Sequence, residues 1–107
     1  MNNAAQPIEP AEVIVMLTLQ FRPGVSSSVI DEMVPAVRLT RLEPGNTDFQ
    51  FFKVKDKPDS VVIYERWKDQ AALDWHWKQP YTNDVLKLFE ANLAKPLSQS
   101  EDVFYLD

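Results

Sequence analysis

The stretch that decides the fold is Ser60–Leu73, SVVIYERWKDQAAL. Its first eight residues are rich in β-branched and aromatic side chains, which favours a strand. Four residues share one face of this strand: Val61, Ile63, Glu65 and Trp67. Asp69 then stands at a typical N-cap position, and Ala72, Leu73 and His76 follow at helical spacing. The stretch therefore predicts a strand that leads directly into a short helix ending near Lys78.

Outward from this unit, hydrophobic periodicity predicts the remaining elements. Alternation predicts strands at residues 13–22, 48–55 and 102–106, and a 3.6-residue period predicts a helix at 82–94. The order strand, helix, strand, strand, helices, strand is typical of the ferredoxin-like split βαβ arrangement in the α+β class. We therefore expect a four-stranded antiparallel sheet with helices on one face.

The first helix and the hairpin carry the clearest boundary signals. The serines at 26–28, with Asp31 three residues after Ser28, resemble a capping box that begins a helix. Pro35 predicts a kink or a restarted turn in that helix, and Pro44-Gly45 predicts its end. Lys57-Pro58-Asp59 predicts the turn between the second and third strands.

The composition bounds the organisation of the chain. The 107 residues suffice for one domain, expected at residues 12–107 behind a flexible tail at residues 1–11. Apolar side chains occupy both faces of the predicted strands, so the face without helices needs a cover. We expect two subunits to pack sheet to sheet as a homodimer, forming a dimeric α+β barrel.

Charge and rare residues exclude several classes of function. The net charge is −5 without a basic stripe, which argues against nucleic acid as a partner. No signal peptide or apolar span is apparent, so we expect a cytoplasmic protein with no membrane partner. The absence of cysteine, the single histidine and the two glycines argue against a metal site and a nucleotide loop. We expect no tightly bound cofactor.

His76, between Trp75 and Trp77, is the strongest candidate catalytic residue. Its side chain alone has an ordinary pKa close to neutral pH, as a general acid or base requires. Glu65 lies in an apolar strand on the face expected to be covered by helices. A buried carboxylate needs a partner, and His76 is the expected one. The alternative for Glu65 is a purely structural hydrogen bond in a small core.

Three further residues are candidates for substrate binding, each with a structural alternative. Trp67 either walls a pocket for a flat aromatic ligand or packs in the core. Arg41, with Glu43 before the Pro44-Gly45 turn, either contacts an anionic ligand or forms a surface ion pair. Tyr81 either binds substrate or packs with its hydroxyl in water.

Two motifs of this chain resemble the antibiotic biosynthesis monooxygenase family of small dimeric α+β barrels. The first is Thr40–Asn46, TRLEPGN, followed by Phe49, and the second is Tyr64–Leu73, YERWKDQAAL, followed by His76. The resemblance spans residues 12–106 and implies a pocket between sheet and helices. It also implies oxidation of phenols to quinones by molecular oxygen without metal or flavin, with pocket residues at Glu65, Trp67, His76 and, less closely, Arg41.

The chain departs from this family at two points. Many relatives carry a second histidine where this chain has Tyr81. The haem-degrading branch requires an Asn, a Trp and a His at positions that lack them here, so haem degradation is not expected. The leading hypothesis is a cofactor-independent monooxygenase of a phenolic or quinol compound, with His76 as acid or base, Glu65 orienting it and Trp67 shaping the pocket. The alternatives are a non-catalytic small-molecule-binding or stress-associated dimer, and an isomerase of a small carbonyl metabolite.

Overall fold

A computed structural model describes residues 11–97 and 101–106 of the chain. It contains four strands and three helices in the order β1 (Glu12–Gln20), α1 (Ser26–Arg41), β2 (Asn46–Val54), β3 (Lys57–Trp67), α2 (Gln70–Trp77), α3 (Pro80–Asn92) and β4 (Glu101–Leu106). The strands form one antiparallel sheet in the order β2-β3-β1-β4. The predicted ferredoxin-like α+β fold is confirmed.

The pairing register determines which side chains face the helices. Val15 lies opposite Glu65, and Leu17 lies opposite Ile63, in the antiparallel β1–β3 pair. Because side chains alternate along a strand, this register puts the odd-numbered residues of both strands on the helix-covered face. Buried apolar residues of that face form the core with α1, α2 and α3. The acidic residue Glu65 lies in the middle of this face, as the sequence predicted.

The N-terminus of α2 confirms one sequence prediction and that of α1 contradicts another. The Asp69 carboxylate accepts a hydrogen bond from the Ala72 amide at 2.8 Å, as an N-cap does. The expected capping box at the serines of α1 is wrong, because Val25 is the N-cap and no side chain caps it. The Ser26 hydroxyl instead donates to the Pro58 carbonyl, which ties α1 to β3.

Two other local predictions need correction. α1 continues as one helix through Pro35, so a restarted turn is wrong there, while the kink stays a prediction. The hairpin turn lies at residues 55–56 rather than at 57–59, and Asp56 adopts φ +64° there. Aspartate tolerates the left-handed region, and Pro58 fits near the start of a strand, so the turn needs no glycine.

The expected tail covers residues 1–11, and its first ten residues lie outside the described residues. Among the helices that the structure describes, none has the length and apolar character needed to cross a membrane.

Candidate active site

A small hollow lies between the helix-covered face of the sheet and helices α1 and α3. Its volume is about 40 Å³, and apolar side chains form most of its wall. Four polar residues also line it: Thr40, Glu65, His76 and Thr82. All four are buried. We call this hollow the inner cavity.

His76 is held by a carboxylate that comes from the loop after α1. Its Nδ1 lies 2.7 Å from Glu43 Oε2, and both side chains are almost completely buried. Because a carboxylate only accepts hydrogen bonds, this contact assigns the proton of a neutral imidazole to Nδ1. Nε2 is then the basic nitrogen of the ring, and it makes no hydrogen bond with any described residue.

Glu43 reaches His76 because the Glu43-Pro44-Gly45 turn packs tightly on α2. A Cβ atom on Gly45 would lie 2.3 Å from the Cβ of Ala72, so only glycine fits there. The Gly45 carbonyl also accepts a hydrogen bond from the Lys68 amide at 2.9 Å. The turn is therefore fixed against the segment that joins β3 to α2, and Glu43 is fixed with it.

Glu43 also interacts with α3. The Tyr81 hydroxyl donates to Glu43 Oε2 at 2.7 Å, so that oxygen accepts two hydrogen bonds. Thr82 Oγ1 lies 3.4 Å from His76 Nδ1. Glu43 Oε1 is buried and has no partner among the described residues. The network joins α2, α3 and the loop after α1 around one imidazole.

Glu65 belongs to a separate interaction. Its Oε1 accepts a hydrogen bond from Trp67 Nε1 at 3.0 Å, along the same face of β3. The Trp67 ring packs against His76 with centroids 4.6 Å apart. Trp67 is fully buried but does not line the inner cavity, whereas Glu65 and His76 both do.

Burial sets the charge of these groups. Desolvation raises the pKa of Glu65 from 4.5 to about 7, although the Trp67 hydrogen bond opposes this and nearby carboxylates add to it. Partial burial, together with the hydrogen bond to Glu43, raises the pKa of Tyr81 above its ordinary value. The inner cavity thus presents a carboxyl group that is largely protonated below neutral pH, and His76 lines the same cavity.

Several site expectations are corrected by these contacts. The expected Glu65–His76 pair is wrong, because His76 pairs with Glu43 and Glu65 pairs with Trp67. The expected surface position of Glu43 is also wrong. The Arg41 guanidinium donates to the Phe49 carbonyl through Nε at 3.0 Å and through a terminal nitrogen at 2.8 Å, and lines no described hollow. It forms no ion pair with any described residue, so the expected surface ion pair is wrong, while contact of Arg41 with an anionic ligand stays a prediction.

The sequence analysis did not identify Glu43 as the partner of His76. The signal available was its position just before Pro44-Gly45, a turn that sits against the β3–α2 segment. Tyr81 was proposed as a substrate-binding residue, but its hydroxyl contacts Glu43 and its ring lines an outer groove rather than the inner cavity. Within residues 11–97 and 101–106, no cluster of three metal-ligating side chains occurs.

The sequence profile of the antibiotic biosynthesis monooxygenase family matches residues 12–88. The chain belongs to this family. The match covers β1 to most of α3 and thus contains every residue of the network around His76.

Two curated proteins are similar in sequence. One, an uncharacterised protein of Synechocystis, is 26% identical over 84 residues, which make up 78% of this chain and 57% of that protein. This chain therefore spans little more than half of the Synechocystis relative. The other is "Putative monooxygenase YcnE" of Bacillus subtilis, 25% identical over 79% of this chain and 90% of its own length.

Solved structures share the fold. A conserved protein from Methanosarcina mazei superposes with a TM-score of 0.83 at 18% identity, covering 92% of this chain and 96% of its own. A structure described as an antibiotic biosynthesis monooxygenase gives 0.76 at 24% identity, covering 89% and 96%. At these identities the likeness shows the fold.

Proposed function

We propose that this protein is a cofactor-independent monooxygenase that oxidises a phenolic or quinol compound with molecular oxygen. The observation that carries the proposal is the convergence of His76 and Glu65 on one mostly apolar cavity. His76 offers a basic Nε2 held in place through Nδ1, and Glu65 offers a carboxyl group whose pKa is raised to about 7. Membership of the monooxygenase family supports the same conclusion.

In the proposed reaction, the protein activates the substrate rather than the oxygen. Nε2 of His76 accepts the phenol proton, and the electron-rich phenolate passes an electron to oxygen. The reduced oxygen then bonds to the ring, and loss of water leaves a quinone, so that one oxygen atom enters the product and the other enters water. Protonated Glu65 donates a hydrogen bond to the negative charge that develops on oxygen.

The size of the cavity limits what can bind without rearrangement. An engineered cavity of about 150 Å³ holds one benzene ring, whereas the inner cavity measures about 40 Å³. It accommodates oxygen or a few water molecules, and a bicyclic phenol requires side chains of the wall to move. The small volume is also the observation that favours an alternative.

The second candidate function, which the small cavity volume favours, is isomerisation of a small carbonyl metabolite. A base and a neutral acid in one small cavity suit proton transfer between neighbouring carbon and oxygen atoms, and that reaction needs no oxygen. A side-chain-filled cavity also fits a third reading, a non-catalytic binding dimer in which Glu43 and His76 satisfy each other.

The proposed functional unit is a homodimer. The sheet face away from the helices carries exposed apolar side chains, among them Met16, Phe52 and Phe104. On the edge strand β4 the helix-side residues Val103 and Tyr105 are exposed as well. Exposed apolar side chains on both faces of an edge strand support a partner that packs on the sheet and around β4.

Oxygen consumption tests the proposed activity. An oxygen electrode follows wild type and His76→Gln with two probes, the phenol 1-naphthol and the ketone anthrone, whose enol tautomer is a phenol. The glutamine keeps a donor for Glu43 but has no basic nitrogen, so we expect at least a hundredfold lower rate. Lys78→Ala, an exposed change at the end of the same helix, is the control and should retain the wild-type rate.

Three outcomes decide between the readings. Consumption of oxygen that depends on His76 supports the monooxygenase. Turnover of a small hydroxy-carbonyl probe such as dihydroxyacetone phosphate under anaerobic conditions, lost in His76→Gln, supports the isomerase instead. Equal oxygen consumption by wild type and His76→Gln removes His76 from the mechanism and contradicts the proposal.

A further inference from the structure

A thin partition separates the inner cavity from a larger groove on the protein surface. The groove runs between α1 and α3 and encloses about 570 Å³. Ala36 of α1 and Val85 of α3 line both the inner cavity and this groove. Two small or medium side chains, one from each helix, therefore stand between the site and the surface.

A second surface hollow, near the end of α3, makes a weaker connection. It shares Leu86 alone with the inner cavity, and its wall continues into residues 93–97. The α1–α3 groove, in contrast, shares one residue of each helix with the inner cavity, Ala36 of α1 and Val85 of α3. A displacement of side chains between α1 and α3 is therefore the smallest change that would connect the inner cavity to the surface.

Helix α1 is softened next to this partition. Pro35 has no amide hydrogen, so the Asp31 carbonyl lacks its usual helical partner one turn earlier. Pro35 lines the groove and directly precedes Ala36. A missing hydrogen bond at this point lowers the cost of moving Ala36 away from Val85.

The chemistry of the groove indicates what occupies it. Most of its wall is apolar, and its charged residues are Glu32, Asp84 and Lys87, which sum to −1. Tyr81 also lines it and donates to the carboxylate that holds His76. An apolar, uncharged group is favoured there, and a negatively charged one is disfavoured.

We infer that Ala36 and Val85 form a gate, and that the substrate is a phenol whose ring passes this gate while an apolar tail remains in the α1–α3 groove. The inference rests on the proposed function for the phenolic ring and adds the tail and the specificity-determining residues. The gate accounts for a cavity that is too small for a ring when closed. The groove supplies the remaining volume.

Binding of two probes tests the tail. Phenol and 4-hexylphenol are titrated into the protein by NMR, following the indole N–H of Trp77, which lines the inner cavity. The hexyl chain should tighten binding at least tenfold in wild type, since it buries apolar surface in the groove. Leu39→Glu, within the groove, should remove most of that gain while leaving phenol binding within twofold of wild type.

Leu42→Glu is the matched control, because Leu42 is 79% exposed near the same helix end and does not line the groove. It should leave both affinities unchanged. The inference is overturned if the hexyl chain adds no affinity, or if Leu39→Glu and Leu42→Glu behave alike.

The gate itself is tested by enlarging one side chain. Ala36→Leu should slow association of 4-hexylphenol at least tenfold, whereas Ala91→Leu, the same enlargement at an exposed position of α3 that lines neither hollow, should not. If Ala36→Leu associates with 4-hexylphenol as fast as wild type does, the gate is overturned. If binding keeps its dependence on Leu39 and Ala36 while no phenol supports oxygen consumption, the gate stands and the proposed oxidation fails.

Discussion

At the scale of single residues, two buried glutamates take different parts because their partners differ. Glu43 accepts hydrogen bonds from His76 and Tyr81 at one oxygen. Among the described residues, Glu65 accepts a hydrogen bond from Trp67 alone, and its pKa is raised to about 7. The first fixes the imidazole, and the second supplies a proton donor at neutral pH and below. Such divergent environments are typical of acid and base groups in one site.

Glu65 lowers the stability of the fold at neutral and alkaline pH. Below about pH 4.5 it is protonated in both folded and unfolded chains. Between pH 4.5 and about 7 the unfolded chain releases the proton and the folded chain retains it, so stability falls as pH rises. Glu65→Gln keeps an acceptor for Trp67 and removes this cost. The variant should gain on the order of 1–3 kcal/mol over wild type at pH 8 and nothing at pH 4.5.

Urea unfolding of both proteins at the two pH values measures the difference. A gain of the same size at both pH values contradicts a buried, titrating Glu65.

Glu43 is expected to act through His76 rather than on the substrate. Glu43→Gln keeps the shape but lets the amide donate to Nδ1, which favours the wrong tautomer. We expect kcat to fall by at least about a hundredfold, because a comparable change at an orienting carboxylate in serine proteases costs about 10⁴. Tyr81→Phe leaves the Glu43–His76 contact in place, and it should lower kcat less than tenfold. Similar losses in the two variants, measured by steady-state kinetics with the pH profile of kcat/KM, argue against this role.

At the scale of elements, the site depends on how closely the turn after α1 approaches α2. The sequence predicts both elements, because the Pro44-Gly45 turn and the Asp69 cap are local signals. It does not predict that Glu43 is buried, because that depends on the contact between Gly45 and Ala72 across 27 residues of chain. The hairpin turn was misplaced for a related reason. Asp56 adopts a left-handed conformation that its neighbours in sequence do not signal.

The Gly45–Ala72 contact is tested by a reciprocal pair of substitutions. Gly45→Ala should destabilise the protein by about 1–3 kcal/mol, since the added Cβ overlaps that of Ala72. Ala72→Gly alone should cost about 1 kcal/mol as a glycine in a helix. In the double variant the overlap is relieved, so its loss of stability should be smaller than the sum of the two. Additive losses in denaturant unfolding contradict the close packing.

At the scale of the whole molecule, the fold was predictable and the pairing inside the site was not. Periodicity and element order alone give the split βαβ topology, because each strand and helix shows its own pattern. The register of β1 and β3 then places Glu65 and Trp67 on the covered face without further information. Which carboxylate meets His76 depends on tertiary distances that no spacing in the sequence encodes.

The sheet face away from the helices allows a test of the proposed homodimer. Phe52 is 51% exposed and lies on β2 beside Val62 of β3. Phe52→Glu places a charge in the middle of the proposed subunit contact and should convert a dimer to a monomer. Leu42→Glu, on the helix side, is the control and should sediment as wild type. Analytical ultracentrifugation that finds wild type and Phe52→Glu in the same state, at the same concentration, contradicts sheet-to-sheet pairing.

The most direct test of the central claim is the protonation state of the single histidine. With ¹⁵N-labelled histidine, long-range ¹H–¹⁵N NMR reports which ring nitrogen carries the proton, free of overlap from other histidines. We expect Nδ1 to be protonated and Nε2 to be unprotonated in the neutral ring, and we expect Glu43→Gln to alter this pattern. An Nε2-protonated ring, or a ring whose signals are unaffected by Glu43→Gln, contradicts an imidazole whose Nδ1 proton is held by Glu43.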